Sequence, residues 1–225
     1  MYRRVGLSSI VRHRIFLLDN HLKLNYFMER MQTKWSVWRR WKANGPNAIK
    51  SRGAMENRIL QAIKERRSIR EFTDQPVSEK DLMTLVEAAI WAPSGKNNQP
   101  WRFVLLTDAE VRNNIADLTL YRHIVANCQS LIVVFLDTEA MYDEVKDHQS
   151  AGAAIQNILL TAESLGLGTV WLGQIVKNKH EVNVELGISS RYDLMAVVAV
   201  GYPAHRNQKS HRKSVNDFIL KKIGG

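Results

Sequence analysis

The sequence contains no run of 18 uninterrupted apolar residues, and it contains a single cysteine. The first absence argues against a membrane-spanning helix, and the second excludes a disulfide within the chain. Cys128 lies beside an apolar stretch, where we expect it to pack as a small hydrophobic residue. The seven histidines are scattered without the paired spacing of zinc or iron ligands. We therefore expect a chain that folds in a reducing compartment and holds no metal.

Motifs that mark common catalytic or nucleotide sites are also missing. There is no Gly-x-Gly-x-x-Gly after a strand, no Walker-type Gly-Lys-Ser/Thr loop and no Gly-x-Ser-x-Gly elbow. No pair of carboxylates stands in an apolar context. If the protein is an enzyme, we expect a bound cofactor to carry the reactive atoms.

Net positive charge is confined to the first quarter of the chain. Residues 1–54 hold twelve Lys or Arg and two acidic residues, whereas residues 55–225 hold twenty of each sign. The whole formal excess of +10 therefore lies before residue 55. We expect a basic N-terminal extension over 1–54 and one formally neutral domain over 55–225, which is long enough to bury a single core.

Three explanations of residues 1–54 stay open. An Arg-rich, acid-poor segment is typical of an organellar targeting peptide. Trp35, Trp38 and Trp41, three residues apart among Lys and Arg, could form a basic amphipathic arm for a membrane surface or nucleic acid. The segment could also be an upstream extension of an open reading frame that starts at Met55, where a helical pattern begins and the charge balance changes.

Residues 66–70, Arg-Arg-Ser-Ile-Arg, combine three guanidinium groups and a hydroxyl where a helical pattern ends. A guanidinium offers a planar fork of N–H donors that fits two phosphate oxygens, and a serine hydroxyl adds a short donor. Basic clusters of this size are commonly solvated surface. The cluster indicates a phosphate site only together with motifs further along the chain.

The domain alternates helical and extended patterns. Helical spacing is found over 56–67, 82–90, 108–116, 151–165 and 179–186, and buried-strand patterns are found over 102–106, 130–136, 169–172 and 194–200. Ser78 is expected to cap the second helix, and Gly166 or Gly168 is expected to end the Ala-Gly-rich one. This alternation predicts a layered α/β or α+β domain.

Over roughly residues 56–220 the chain resembles the FMN-dependent nitroreductase family. Five segments stand in the order and spacing of that family: RRSIREF, APSGKNNQPWRF, AGAAIQNILLTAESLGLG, TVWLGQ and VVAVGYP before a basic tail. The resemblance implies an α+β, three-layer domain with a mostly antiparallel central sheet flanked by helices. It also implies a homodimer with FMN at the subunit interface, and the Ala-Gly-rich helix in the dimer core.

Candidate FMN contacts follow from the resemblance. Four residues match the phosphate and ribityl contacts of the family: Arg66, Arg67, Ser68 and Arg70. Of these, Arg66 and Arg70 could also approach the pyrimidine edge of the flavin. Near the C-terminus, Arg212 and the less secure Lys209 match a second phosphate-binding pair.

Two further segments match positions near the flavin ring. Five residues match the loop that reaches the FMN of the neighbouring subunit or lies near its ring and ribityl chain: Pro93, Ser94, Gly95, Asn97 and Gln99. Gly173 matches the position whose backbone N–H points at flavin N5, with Leu172 and Gln174 beside it. The resemblance assigns no side-chain acid or base.

The resemblance implies a ping-pong reaction in which NADH or NADPH gives hydride to flavin N5 and a small-molecule acceptor, such as a nitroaromatic or quinone, then takes its place. That family also hosts quinone and flavin reduction, dehalogenation and flavin fragmentation, so the resemblance says little about the substrate. The short stretch before the Ala-Gly-rich helix indicates that a substrate-covering insertion is reduced and the pocket is open.

Two alternatives stay open at this point. The first is a reductive dehalogenase or a flavin-consuming oxygenase on the same fold. The second is a basic nucleic-acid or membrane-surface binding protein with a vestigial flavin site, and residues 1–54 are its only support. We expect a cytoplasmic enzyme that binds no nucleic acid. If residues 1–54 are a targeting peptide, we expect an organellar location instead. A membrane contact of residues 1–54 stays open.

Overall fold

A computed structural model describes residues 58–224 of the chain. The expectations for residues 1–54 lie outside these described residues, and the domain boundary near residue 55 stays a prediction. Within residues 58–224, no helix combines the length and apolar character needed to cross a membrane. The same residues contain no group of three or more His, Cys, Asp or Glu that could hold a metal ion.

Helices and strands alternate along the described residues, as the sequence pattern predicts. The helices are α1 (Arg58–Glu65), α2 (Glu79–Ile90), α3 (Ala109–Asp117), α4 (Arg122–Asn127), α5 (Glu144–Ser164) and α6 (Lys179–Glu185). The strands are β1 (Trp101–Leu106), β2 (Ser130–Asp137), β3 (Gly168–Leu172) and β4 (Tyr192–Gly201). Short 3-10 helices cover Gly95–Asn97, Gln174–Asn178 and Val215–Phe218.

The four strands form one sheet in the order β1-β2-β4-β3, and every neighbouring pair is antiparallel. β2 and β4 lie in the middle, where both of their faces are covered. Their continuous apolar sequences follow from this position, because a strand buried on both faces has no polar side to present. β1 and β3 are the two edges of the sheet.

Helices cover both faces of the sheet and give a three-layer α+β domain. On one face, α2 and α5 pack with alternate residues of β2 such as Ile132 and Val134. On the other face, α3, α4 and α6 pack with the intervening residues Leu131 and Val133. The predicted fold class is therefore confirmed.

Cys128 is fully buried between the sheet and the helices α3, α4 and α6, as its apolar surroundings in the sequence predict. Burial raises the pKa of its thiol to about 11.

The Ala-Gly-rich helix begins earlier than its apolar pattern predicts. We expected 151–165, but α5 starts at Glu144, and the Asp143 side chain caps it by accepting from the Lys146 N–H. Its first turns, with the sequence EVKDHQS, are mostly polar, so apolar spacing does not reveal them. At the other end, Gly166 adopts φ +76° directly after the helix, which confirms it as the stop residue.

Gly168 lets the arginine-bearing segment lie against β3. A Cβ at this position would lie 2.8 Å from Cβ and Cγ2 of Ile69, which is closer than side chains pack. Ile69 is itself fully buried. The contact between β3 and the segment after α1 therefore requires glycine at this point.

We predict that Gly168→Ala destabilises the domain by about 1–3 kcal/mol, because the added methyl must push Ile69 away from β3. Chemical denaturation of the two proteins measures the difference. An unfolding free energy equal to that of the parent would contradict the close approach of these residues.

Candidate functional site

The arginine cluster is fixed to the edge of the sheet by the residues that follow α1. Ser68 forms a parallel bridge with Thr169 of β3, and the Ile69 N–H donates to the Thr169 carbonyl at 2.9 Å. The buried Ile69 side chain anchors the same segment in the protein interior. The backbone between Arg66 and Arg70 is therefore placed by the sheet.

Arg67 holds the end of α1 against the C-terminal tail. Its Nη1 donates to the carbonyls of Lys64, Glu65 and Arg66 at 2.5, 2.9 and 2.9 Å. Its Nε donates to the carbonyl of Gln208 at 3.1 Å. The last carbonyls of a helix lack partners within the helix, and a guanidinium satisfies them. The Nη1 and Nε groups of Arg67 are thus already hydrogen-bonded to backbone carbonyls.

Arg66 lies at the centre of a concentration of positive charge. Burial lowers the pKa of Arg66, and the charges of Arg212 and Arg67 lower it further. Glu163 acts in the opposite direction, but its carboxylate pairs with Arg206 at 2.7 Å. Like charges held together at a partly buried position repel one another, and a bound multivalent anion would relieve that repulsion. The arrangement therefore has the charge that binding of an anion requires.

The other predicted phosphate residues lie nearer to solvent. Arg70 is exposed and donates to the Ser68 carbonyl at 3.3 Å. Arg212 and Lys209 are exposed residues of the tail. Of these two, Arg212 is the one whose charge acts on Arg66. The structure thus brings together Arg66 and Arg212, which are far apart in the sequence.

The loop between α2 and β1 has a strained backbone. Lys96, Asn97 and Gln99 have φ values of 53°, 57° and 49°, in the left-handed region that non-glycine residues rarely adopt. Such conformations persist only where surrounding contacts enforce them, and they concentrate at functional sites. Pro93 is exposed at the start of the loop, and the Ser94 hydroxyl accepts from the Gln99 N–H at 3.1 Å.

Asn98 was not predicted as a site residue, but its side chain faces inward from this loop. Its Nδ2 donates to the Ala140 carbonyl and to Oδ1 of Asp147, both at 2.9 Å. Asn97 and Gln99 on either side of it are exposed. In the sequence, Asn98 is one amide residue among several in a polar loop. That pattern does not show whether its side chain holds the loop to the domain or contacts a ligand.

Tyr142 lies directly against Gly95. A Cβ on residue 95 would fall 2.1 Å from the Tyr142 ring. The Tyr142 side chain can therefore take this position only because residue 95 is glycine. The ammonium groups of Lys96 and Lys146 lie 4.9 and 5.3 Å from the ring centre. Tyr142 is partly exposed and was not predicted as a site residue.

At the end of β3, the side chain of Trp171 is 42% exposed. Leu172 is buried in the core, whereas Gly173 is exposed and begins the 3-10 helix Gln174–Asn178. The Gln174 side chain turns away to accept from the Thr119 hydroxyl at 2.8 Å and from the Leu120 N–H at 3.0 Å. Any contact from Leu172 or Gln174 to a ligand at this edge would therefore use main-chain atoms.

The loop and the arginine cluster lie at opposite corners of the sheet. The loop leads into Trp101, at the start of β1, whereas Ser68 pairs with Thr169, which is level with the far end of β1 near Leu106. Three strand spacings and five residues separate the two corners, about 14 Å across the sheet and about 17 Å along it. One copy of the chain does not bring these two groups together.

Surface cavities of the described residues include two that are lined by other side chains. One, of about 500 Å³, is lined by residues that include Phe72 and Arg112, and the other, of about 330 Å³, by residues that include Tyr142 and His148. Neither is lined by one of the predicted FMN contacts.

The structure is an α+β domain with a cluster of positive charge beside its edge strand β3. The family model described as "Nitroreductase family" matches residues 63–122 and 117–202. The chain belongs to the nitroreductase family, which confirms the resemblance stated from the sequence.

Individual relatives agree with this assignment. A protein of Archaeoglobus fulgidus, provisionally named NADH dehydrogenase/NAD(P)H nitroreductase, is 35% identical over 147 residues, 64% of this chain and 84% of its own. An FMN reductase [NAD(P)H] of Bacillus subtilis is 26% identical over 174 residues, 69% of this chain and 70% of its own. A Desulfovibrio desulfuricans protein, provisionally named a nitroreductase and crystallised in complex with FMN, is 45% identical, with a TM-score of 0.72, over 76% of this chain and 100% of its own.

We predict that inorganic phosphate stabilises this domain through the arginine cluster. At ten times its dissociation constant, phosphate should add about 1.4 kcal/mol to the free energy of unfolding. Thermal unfolding in phosphate and in chloride at equal ionic strength measures the effect. Because phosphate also stabilises proteins by exclusion from their surface, the double variant Arg66→Gln, Arg212→Gln serves as the control. Equal phosphate effects in the parent and in this variant would contradict an anion site.

Proposed function

We propose that this protein is an FMN-dependent NAD(P)H oxidoreductase that reduces small acceptors such as nitroaromatics or quinones by a ping-pong reaction. The observation that carries the proposal is the positive cluster of Arg66, Arg67 and Arg212 on the edge strand of a nitroreductase-family domain. The names of the relatives, among them an FMN reductase and a protein crystallised with FMN, support the same cofactor and reductant.

The donor set at the edge of β3 fits a phosphate-bearing cofactor. Arg66 and Arg212 supply guanidinium groups in one charged cluster, and Ser68 supplies a hydroxyl beside them. From Thr169, next to Ser68, the strand runs four residues to the exposed Gly173, a distance of about 13 Å. This edge therefore offers a positive cluster at one end and the exposed main chain of Gly173 at the other, which suits an extended molecule with a phosphate and a ring.

We further propose that the active enzyme is a homodimer. The loop that carries Asn97 and Gln99 lies at the opposite corner of the sheet from the arginine cluster, so both can touch one cofactor only if they come from different subunits. Apolar side chains left exposed in the described residues support a partner chain. On α1, Ile59 is 71% exposed, and in the tail Phe218 is 68% and Ile223 84% exposed.

When bound, FMN supplies the hydride and electron chemistry between NAD(P)H and the acceptor. The protein would then position the cofactor. Arg66 and Arg212 would hold the phosphate, and Arg66 or Arg70 would offer positive charge to the pyrimidine edge of the ring. The Gly173 N–H would donate to N5. Asn97 and Gln99 of the partner subunit would contact the ring or the ribityl chain. Proton transfer is assigned to no side chain.

The acceptor pocket is proposed to be open. Only residues 138–143 connect β2 to α5, which leaves little chain to cover a bound acceptor. We also propose a cytoplasmic location, and residues 55–225 as the catalytic domain.

We predict that the double variant Arg66→Gln, Arg212→Gln binds FMN about 10–100-fold more weakly than the parent, because charge-assisted hydrogen bonds to the phosphate are lost. Gln keeps most of each side-chain stem, and Arg67 is left intact because it holds the end of α1. Fluorescence titration of apoprotein with FMN measures the dissociation constant.

Lys213→Gln is the matched control, since it removes an exposed positive charge from the residue next to Arg212. FMN affinity should change little in this variant. A double variant with the affinity of the parent, or a control with the same loss as the double variant, would contradict the proposed phosphate site.

A further inference from the structure

Three residues of the loop before β1 hold a conformation that their side chains disfavour. The left-handed region is sterically unfavourable for an L-residue, less so for Asn, and here Lys96, Asn97 and Gln99 all occupy it within four positions. The loop has local backbone hydrogen bonds of its own, from the N–H groups of Asn97 and Asn98 to the carbonyls of Ser94 and Gly95 and from the Gln99 N–H to the Ser94 hydroxyl. These bonds lie within the loop, so its position against the rest of the domain depends on other contacts.

Asp147 provides a rigid anion beneath the loop. Its side chain is fully buried in the first turn of α5, and its Oδ2 accepts from the N–H groups of Tyr142 and Asp143 at 2.9 and 3.0 Å. Burial acts to raise the pKa of Asp147, but these backbone hydrogen bonds and the one from Asn98 outweigh it, so the pKa is lowered. The carboxylate is therefore ionised at neutral pH, with Oδ1 left for the loop.

Asn98 spans the gap between this carboxylate and the loop. Its Nδ2 uses both hydrogens, one on Oδ1 of Asp147 and one on the Ala140 carbonyl, each at 2.9 Å. Two acceptors at this nitrogen fix the orientation of the amide, because the reverse orientation would place its oxygen against two oxygens. Its Oδ1 is buried without a hydrogen-bond partner, so the inward orientation is kept at a cost.

The end of the loop that leads into β1 is also tied to the body of the domain, because the Asp137 N–H donates to the Pro100 carbonyl at 2.8 Å. With Asn98 held inward and the chain fixed after it, Asn97 and Gln99 must project outward, and both are exposed.

We propose that Asn98 and Asp147 form a positioning pair, which holds the strained loop so that Asn97 and Gln99 reach the flavin bound by the other subunit. This inference rests on the proposed function. Neither member of the pair touches the cofactor, and both act through the loop. The pair lies away from the arginine cluster, so its loss should loosen the contacts at the ring while the phosphate contacts remain.

The test compares Asn98→Ala with Ser150→Ala in the full-length protein. Ser150→Ala removes a buried hydrogen bond between the same helix and Trp101 of β1, but it leaves the side-chain hydrogen bonds of Asn98 and Asp147 in place, and so controls for loss of stability. We expect Asn98→Ala to raise the FMN dissociation constant roughly tenfold. It should also change the visible circular dichroism of the bound flavin. Ser150→Ala should leave both close to the parent values, although both variants unfold at lower temperature.

A second variant keeps the test decisive if Asn98→Ala folds poorly. Asn98→Asp places a second carboxylate beside Asp147, so one of the two must take up a proton at a raised pKa. The protonated form restores an O–H donor, and FMN affinity should therefore recover as the pH falls, while the parent shows no such recovery.

The outcomes separate this inference from the proposed function. If the parent protein binds no FMN, the proposed function fails and the positioning pair fails with it. If the parent and Ser150→Ala bind FMN, and Asn98→Ala shows the same dissociation constant and dichroism as they do, only the positioning pair is overturned. An Asn98→Asp variant whose affinity does not depend on pH would overturn it as well.

Discussion

The hydrogen bond from the Ile69 N–H to the Thr169 carbonyl fixes the position of the arginine cluster. It fixes the segment after α1 to the edge strand β3, and Gly168 allows the close approach. Arg66 is thereby held near Arg212 at a partly buried position, where like charges favour a bound anion. The same sheet separates this cluster from the strained loop before β1, and that distance is the physical reason for proposing a second subunit.

Much of the fold could be predicted from the sequence, because its helices and strands carry clear apolar periods. The runs that became β2 and β4 are continuous because both of their faces are buried, and Ser78 does cap α2. The start of α5 could not be predicted, since its first turns are polar and face Asn98 and the loop rather than an apolar layer.

The candidate site was predictable in composition but not in geometry. The Arg-Arg-Ser-Ile-Arg motif and the tail arginine were recognisable as residue types, yet their proximity depends on pairing between β3 and a distant segment. The spacing of residues in the sequence also could not show that the Arg67 guanidinium donates to carbonyls at the end of α1. Nor could it show that the Gln174 side chain accepts a hydrogen bond from Thr119. Asn98 and Asp147 escaped notice because an inward-facing amide and a buried carboxylate differ from solvated ones only in three dimensions.

The most direct test is an absorbance spectrum of the purified protein without oxygen, taken before and after addition of NADH or NADPH. The account predicts flavin bands in the protein as purified or after reconstitution with FMN. It also predicts that one of the two nicotinamides bleaches these bands and that a quinone or nitroaromatic then restores them. A protein that stays colourless after reconstitution, or whose flavin bands neither nicotinamide bleaches, would contradict it.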